Sequence, residues 1–208
     1  AVVQAVSPTP VTVKIRSGWD DAHKNAAELA KMLEQAGVSA ITVHGRTREQ
    51  LYSPPVDLET IAEVVRAVSI PVIGNGGIMC AADALKMLAY TGCSSVAIAR
   101  GAQGRPWIFE EIRAALEGRT FVEPSICERI EAAAAHMRAA CADKGMRGVL
   151  ESRGAVSHYI KGIPGAAQAR DAINRAASAE EIELVLKHLA SEAKNAETCS
   201  DSEDKHIS

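Results

Sequence analysis

Four short apolar runs, each ending in a polar or glycine-rich exit and each followed by a helical pattern, recur along the first half of the chain. The exits fall near Arg16, Arg46, Gly74 and Arg100, about 25 to 30 residues apart. That period holds one strand, one loop and one helix, so the strands must be parallel and the helices must cover them. The stretch from Pro71 to Gly104 carries the pattern most fully. It reads PVIGNGGI, then an Ala-rich segment, then SSVAIARGAQG, and both exits end in small residues where backbone can approach a ligand closely.

The first strand is expected over Val11 to Arg16, where Val11, Val13 and Ile15 alternate with Thr12, Lys14 and Arg16. In a parallel barrel, polar groups at the carboxyl end of such a strand sit in the mouth, which places Lys14 and Arg16 there. Asp20 and Asp21 are expected to cap the next helix, with Leu29, Met32, Leu33 and Ala36 as its buried stripe and Gly37 as its stop. Ile41 to Arg46 repeats the strand pattern, so His44 has the parity and strand-end position that Lys14 has one unit earlier. Asp57 caps a helix striped by Ile61, Val64, Val65 and Val68. Pro71 opens the third strand, whose helix turns Ala84, Leu85 and Leu88 inward, and Ser95 to Ala99 forms the fourth.

Four βα units are half of an eightfold barrel. The sequence therefore predicts an α/β fold in which residues 1–118 form the C-terminal half of a (β/α)8 TIM barrel, as a fragment whose N-terminal half lies outside it. Gly118 to Pro124 reads as a linker, and the pattern then becomes wholly helical. Ile126, Ile130, Ala133, Met137 and Cys141 mark one amphipathic helix, and further helices are expected over 149–161, 166–176 and 179–194. Residues 119–194 are thus a small all-helical domain, and the polar, acidic residues 195–208 a disordered tail.

A chain of 208 residues with 47% hydrophobic and 24% charged residues has ordinary globular composition, and a net charge of −3 excludes a generally basic protein. Apolar runs fall short of the roughly 20 residues a bilayer requires, so a cytoplasmic protein without a membrane partner is expected. Cys80, Cys93, Cys127, Cys141 and Cys199 show neither CxxC nor zinc-like spacing and read as reduced thiols, with no metal implied. Locally, Arg147, Arg153, Lys161, Arg170 and Arg175 outnumber Glu151 and Asp171 between Gly145 and Arg175.

The two glycine-rich exits together suggest a phosphate site. The amides of Asn75, Gly76 and Gly77 face it from one loop and those of Arg100 and Gly101 from the other, with the Arg100 guanidinium adding charge and Ala97 and Ala99 keeping the strand slim. Neither loop is a Walker motif and no GxGxxG occurs. If the phosphate belongs to flavin mononucleotide (FMN), the ring would lie toward the first two strand ends. Lys14 would then be the cation near its pyrimidine end, His44 would bond flavin or substrate base, and Arg46 would meet a substrate phosphate.

The segments VKIRSGWDD, ITVHGRTREQLYS, IPVIGNGGI, TGC and ARGAQGRPWIF, in this order, resemble the second half of a bacterial tRNA-dihydrouridine synthase of the B-type branch. HYIKGIPGA is similar to a stretch of that family's C-terminal helical domain. The resemblance implies an FMN enzyme, monomeric at full length, whose flavin is reduced by NADPH and passes hydride to C6 of a uracil in tRNA. It matches Lys14 to the family's flavin-contacting lysine, His44 to its strand-end histidine, and Asn75, Gly76, Gly77, Ala99 and Arg100 to its phosphate loops; with Gly101 these are the expected flavin residues, and Arg46, Arg153 and Lys161 are the expected tRNA contacts. Gly77 stands where the family usually has Asp, Ala99 where it usually has Gly, and His158 where it usually has Trp; of an Arg-Lys-His run upstream of Tyr159, Arg153 alone remains. The family's catalytic cysteine belongs to an Asn-Met-Gly-Cys-Pro context found nowhere in this sequence. Two other readings are open: an FMN barrel oxidoreductase of a small molecule, resembling dihydroorotate dehydrogenase, and a tRNA-binding protein without redox activity.

Overall fold

The computed structural model describes residues 1–203, with side chains described through Lys194. The chain divides into two compact units: Ala1–Ala102 with Ile108–Phe121, and Gln103–Trp107 with the chain from Val122 onward.

In the first unit the elements are α1 (Val2–Ala5), β1 (Thr12–Arg16), α2 (Ala26–Gln35), β2 (Ala40–His44), α3 (Leu58–Ala67), β3 (Val72–Asn75), α4 (Ala81–Thr91), β4 (Ser95–Ala97), a 3-10 turn at Arg100–Ala102, and α5 (Ile108–Leu116). The strands form one parallel sheet in the order β1-β2-β3-β4. One face carries the core: Ile15, Ile41, Val43 and Val72 pack with Ala30, Ile61, Val64, Ala84 and Met87. Ile41, Val43, Ile61 and Val64 are wholly inaccessible to solvent, each contributing about 1.5–3 kcal/mol by its burial.

Several local expectations change. Asp20 does not cap α2. Its Oδ1 accepts from the amides of Ala22 and His23, closing a turn that delays the helix to Ala26, while the Ser17 carbonyl accepts from the Asn25 and Ala26 amides. Met32 is 66% exposed, and the small residues Ala26 and Ala30 bring α2 against the core instead. β4 ends at Ala97 rather than Ala99, because the Ala99 carbonyl accepts from Ala102 to start the 3-10 turn. Asp57 does cap α3, accepting from the Thr60 amide at 3.0 Å.

The second unit holds α6 (Ile126–Lys144), α7 (Met146–Tyr159), α8 (Ala166–Arg175) and α9 (Ala179–Glu203). Ser125 and Glu128 form a capping box at the start of α6. Ile130, Met137, Val156, Ile160, Ile173, Ile182, Leu186 and Leu189 form its core. Gln103–Trp107 belongs to this unit: the Trp107 ring meets Tyr159 edge-on at 6.3 Å, and its Nε1 donates to Glu123 at 2.9 Å. Backbone of α9 continues past residue 194 to Glu203, since Asn195 to Glu203 contains neither glycine nor proline to stop it. The rest of the expected tail, residues 204–208, lies outside the described residues.

Cys80, Cys93, Cys127 and Cys141 are free thiols. Among the described residues no helix is long and apolar enough to cross a membrane, and no His, Cys, Asp or Glu cluster could hold a metal ion.

Candidate anion-binding mouth of the parallel sheet

Side chains alternate between the two faces of a strand, so the face opposite the core carries Lys14 and Arg16 on β1, Thr42 and His44 on β2, Ile73 and Asn75 on β3, and Ser95 and Ala97 on β4. Register aligns them in two rows. Arg16, His44, Asn75 and Ala97 lie level across the carboxyl ends, and Lys14, Thr42, Ile73 and Ser95 lie one row deeper. His44 is therefore level with Arg16, not with Lys14, which sits about 6.6 Å further down the sheet at 3.3 Å per residue. The parity read from sequence holds; the matching of positions does not, because register is set by pairing between strands.

His44 is buried at 6% exposure, and Arg46 Nη1 approaches its Nε2 at 3.3 Å. Arginine has only donors, so Nε2 must carry the lone pair and the imidazole is neutral with its proton on Nδ1. Burial first, then the charges of Lys14, Arg16, Arg46 and Arg100, push the His44 pKa down to about 4. The four charges that depress it are all positive. Burial and then Arg16 lower Lys14, and burial followed by Arg100 and Arg16 lowers Arg46. Cations concentrated in this way favour negative charge beside them.

The loops complete it. Asn75 lies within the ladder, and its Nδ2 donates to the Ala97 carbonyl at 2.7 Å, tying β3 to β4, while its own carbonyl accepts from Gly45. Among the described residues no hydrogen bond uses the amides of Gly76 or Gly77, so these two donors at the β3 exit are unspent. Gly76 has φ +120, and a Cβ there would lie 2.9 Å from the His44 ring. Gly101 is required for a different reason: a Cβ would lie 2.3 Å from the Ile78 carbonyl oxygen, where the β3 and β4 loops touch. At the start of α4 the amides are engaged by carboxylates. Met79 and Cys80 donate to Asp83, and Ala81 donates to Glu111, so those amides are spent on carboxylates. Ala99 and Arg100 are exposed, and the Arg100 guanidinium stands over the Tyr52 ring.

Arg46 is only 5% exposed, with Nε donating to the Ser53 carbonyl at 2.8 Å, and Arg16 Nη1 donates to the Thr47 carbonyl at 2.8 Å. Both hold the loop after β2 as well as charging the mouth. In the helical unit, Arg153 donates from Nε and Nη2 to the Ala176 carbonyl, which ends α8, so its guanidinium is engaged in the fold. Lys144 and Arg147 pair with Glu151, and Arg175 with Asp171. Of the basic segment, Lys161 is exposed. Sequence reasoning missed Tyr52 as a partner of Arg100 and Ser17 as a buried hydroxyl without a partner among the described residues. Tyr52 lies inside the ITVHGRTREQLYS stretch, but nothing local tells a side chain which strand exit it will reach.

An all-parallel sheet whose carboxyl ends gather Lys14, Arg16, Arg46 and Arg100 around His44 defines an α/β protein with a cationic face at its strand ends. The chain belongs to the dihydrouridine synthase (Dus) family, whose model matches residues 1–196. It is 41% identical over 178 residues to tRNA-dihydrouridine synthase B of Xanthomonas axonopodis pv. citri, covering 85% of this chain and 53% of that one. It is 44% identical to tRNA-dihydrouridine synthase B of Pseudomonas syringae pv. tomato, covering 84% and 52%, and 39% identical to a probable tRNA-dihydrouridine synthase of Mycobacterium leprae, covering 91% and 50%. The chain thus spans about half the length of the curated relatives it matches.

Proposed function

We propose that this chain is the C-terminal half of the (β/α)8 barrel of an FMN-dependent tRNA-dihydrouridine synthase, residues 1–118, followed by a helical tRNA-binding domain, residues 119–194. The observation that carries the reading is the row Arg16–His44–Asn75 with Lys14 beneath it, beside the unspent Gly76 and Gly77 amides, in a member of the Dus family. These residues fit a flavin phosphate: the Gly76 and Gly77 donors are unspent, the charges of Lys14, Arg16, Arg46 and Arg100 are positive, and the His44 imidazole is neutral.

In this reading the Gly76 and Gly77 amides, with those at Ala99–Gly101, hold the phosphate, and Arg100 balances its charge. Lys14 supplies a cation lower on the same face. A bound flavin, reduced by NADPH, supplies the reducing chemistry at C6 of a tRNA uridine. His44 contributes a neutral N–H at Nδ1, since Nε2 is engaged by Arg46; it can bond a carbonyl of the flavin or of the uracil without bringing charge. Arg46 holds His44 in that tautomer and adds positive charge for a tRNA phosphate. Lys161 offers an exposed tRNA contact, and Arg153 acts by holding the end of α8.

The test is spectroscopic and chemical. The intact protein should purify with flavin absorbance and restore dihydrouridine to tRNA from cells lacking their own synthase. A colourless protein that takes up no FMN, or a flavoprotein that leaves uridine unchanged with NADPH, would refute the reading.

A further inference from the structure

The loop between β2 and α3, residues 45–57, is fastened along its length. Gly45 donates to the Asn75 carbonyl and Asp57 to the Gly45 carbonyl, closing its base. Arg16 and Arg46 hold the Thr47 and Ser53 carbonyls from below. Arg48 and Glu49 donate to the carbonyls of Gly18 and Trp19 in the loop after β1, and Gln50 Nε2 donates to the Ser53 and Pro55 carbonyls. On this fixed strap the Tyr52 ring, 61% exposed, meets the Arg100 guanidinium with 4.7 Å between its central carbon and the ring centroid. Tyr52 belongs to the exit of β2 and Arg100 to that of β4, with β3 and the Gly76–Gly77 amides between them in the sheet order.

We propose that Tyr52 is a positioning residue that holds the Arg100 guanidinium at the mouth for a phosphate monoester, the terminal phosphate of the flavin; this rests on the flavin reading above. Arg100 is exposed and carries a long, rotatable stem, so left alone it would spread over many rotamers. A carboxylate would fix it more firmly but would cancel the charge that an anion needs. The aromatic face does neither harm: it orients the cation through the ring quadrupole and leaves the N–H edge of the guanidinium open. The charges that depress His44 are those of Lys14, Arg16, Arg46 and Arg100, so Arg100 already belongs to the cationic cluster at the strand ends.

The experiment compares FMN with riboflavin, which lacks the phosphate, and with inorganic phosphate as competitor, on intact protein stripped of flavin. Tyr52→Ala should weaken FMN binding about two- to fivefold, the range of an exposed cation–π contact, and leave riboflavin binding unchanged. Inorganic phosphate should compete less well for the same variant. Tyr52→Phe, which keeps the ring, should bind FMN like the parent. In an Arg100→Gln background, Tyr52→Ala should have no further effect. Equal weakening of riboflavin, or an undiminished Tyr52→Ala effect without Arg100, would overturn the proposal while the flavin reading stands. A parent protein that binds neither flavin would bring down that reading and this one with it.

Discussion

Acid should destabilise this fold through His44, and the size of the effect follows from its surroundings. Burial and the charges of Lys14, Arg16, Arg46 and Arg100 take its pKa from the ordinary 6.5 down to about 4. The unfolded chain therefore takes up the proton first. Stability is complete above pH 6.5 and falls as pH drops through the window toward 4. At 1.36 kcal/mol per unit the loss is about 2 kcal/mol by pH 5 and about 3 kcal/mol by pH 4. Urea unfolding of the parent and of His44→Gln at pH 7 and pH 5 isolates this share, because all other titrating groups are common to both. The parent should lose about 2 kcal/mol more than the variant. Imidazole NMR supplies the second reading, with Nε2 unprotonated and Nδ1 protonated down to about pH 5. Equal pH slopes in the two proteins, or a His44 that titrates at 6.5 or above, would refute a buried His44 ringed by Lys14, Arg16, Arg46 and Arg100.

Three further outcomes are expected. Gly76→Ala should cost about 1–3 kcal/mol in urea unfolding, since alanine is strained at φ +120 and its Cβ would lie 2.9 Å from the His44 ring; a neutral result would mean that the turn relaxes freely. In the helical unit, Arg153→Ala should lower stability by about 1–3 kcal/mol through loss of both bonds to the Ala176 carbonyl, whereas Lys161→Gln should leave stability unchanged but make the salt dependence of tRNA binding shallower. A Lys161→Gln protein with the parent's salt slope would remove that residue from the tRNA surface.

The sequence by itself determined the strands, their spacing and their faces. Apolar alternation around Val13, Ile15, Ile41 and Val43 can be buried in only one way, so Lys14, Arg16 and His44 had to emerge together on the other face. It also determined the helix start at Asp57, where a side-chain oxygen caps the amide three residues away. Such rules act over a few residues, and within that reach they succeeded wherever a single local partner was available. Asp20 marks the limit, since a carboxylate can serve a turn as readily as a helix. Tertiary structure decided everything that needed two distant segments to meet. Pairing register set Arg16 level with His44 and left Lys14 a row deeper. Chain packing spent the α4 amides on Asp83 and Glu111, turned Arg153 toward the end of α8, and drew Gln103–Trp107 into the helical unit although Arg100–Ala102 stays with the sheet. Tyr52 found Arg100 for the same reason: which side chains meet across strand ends depends on the closure of the loops between them, an outcome of the whole packed sheet that no window of neighbouring residues contains.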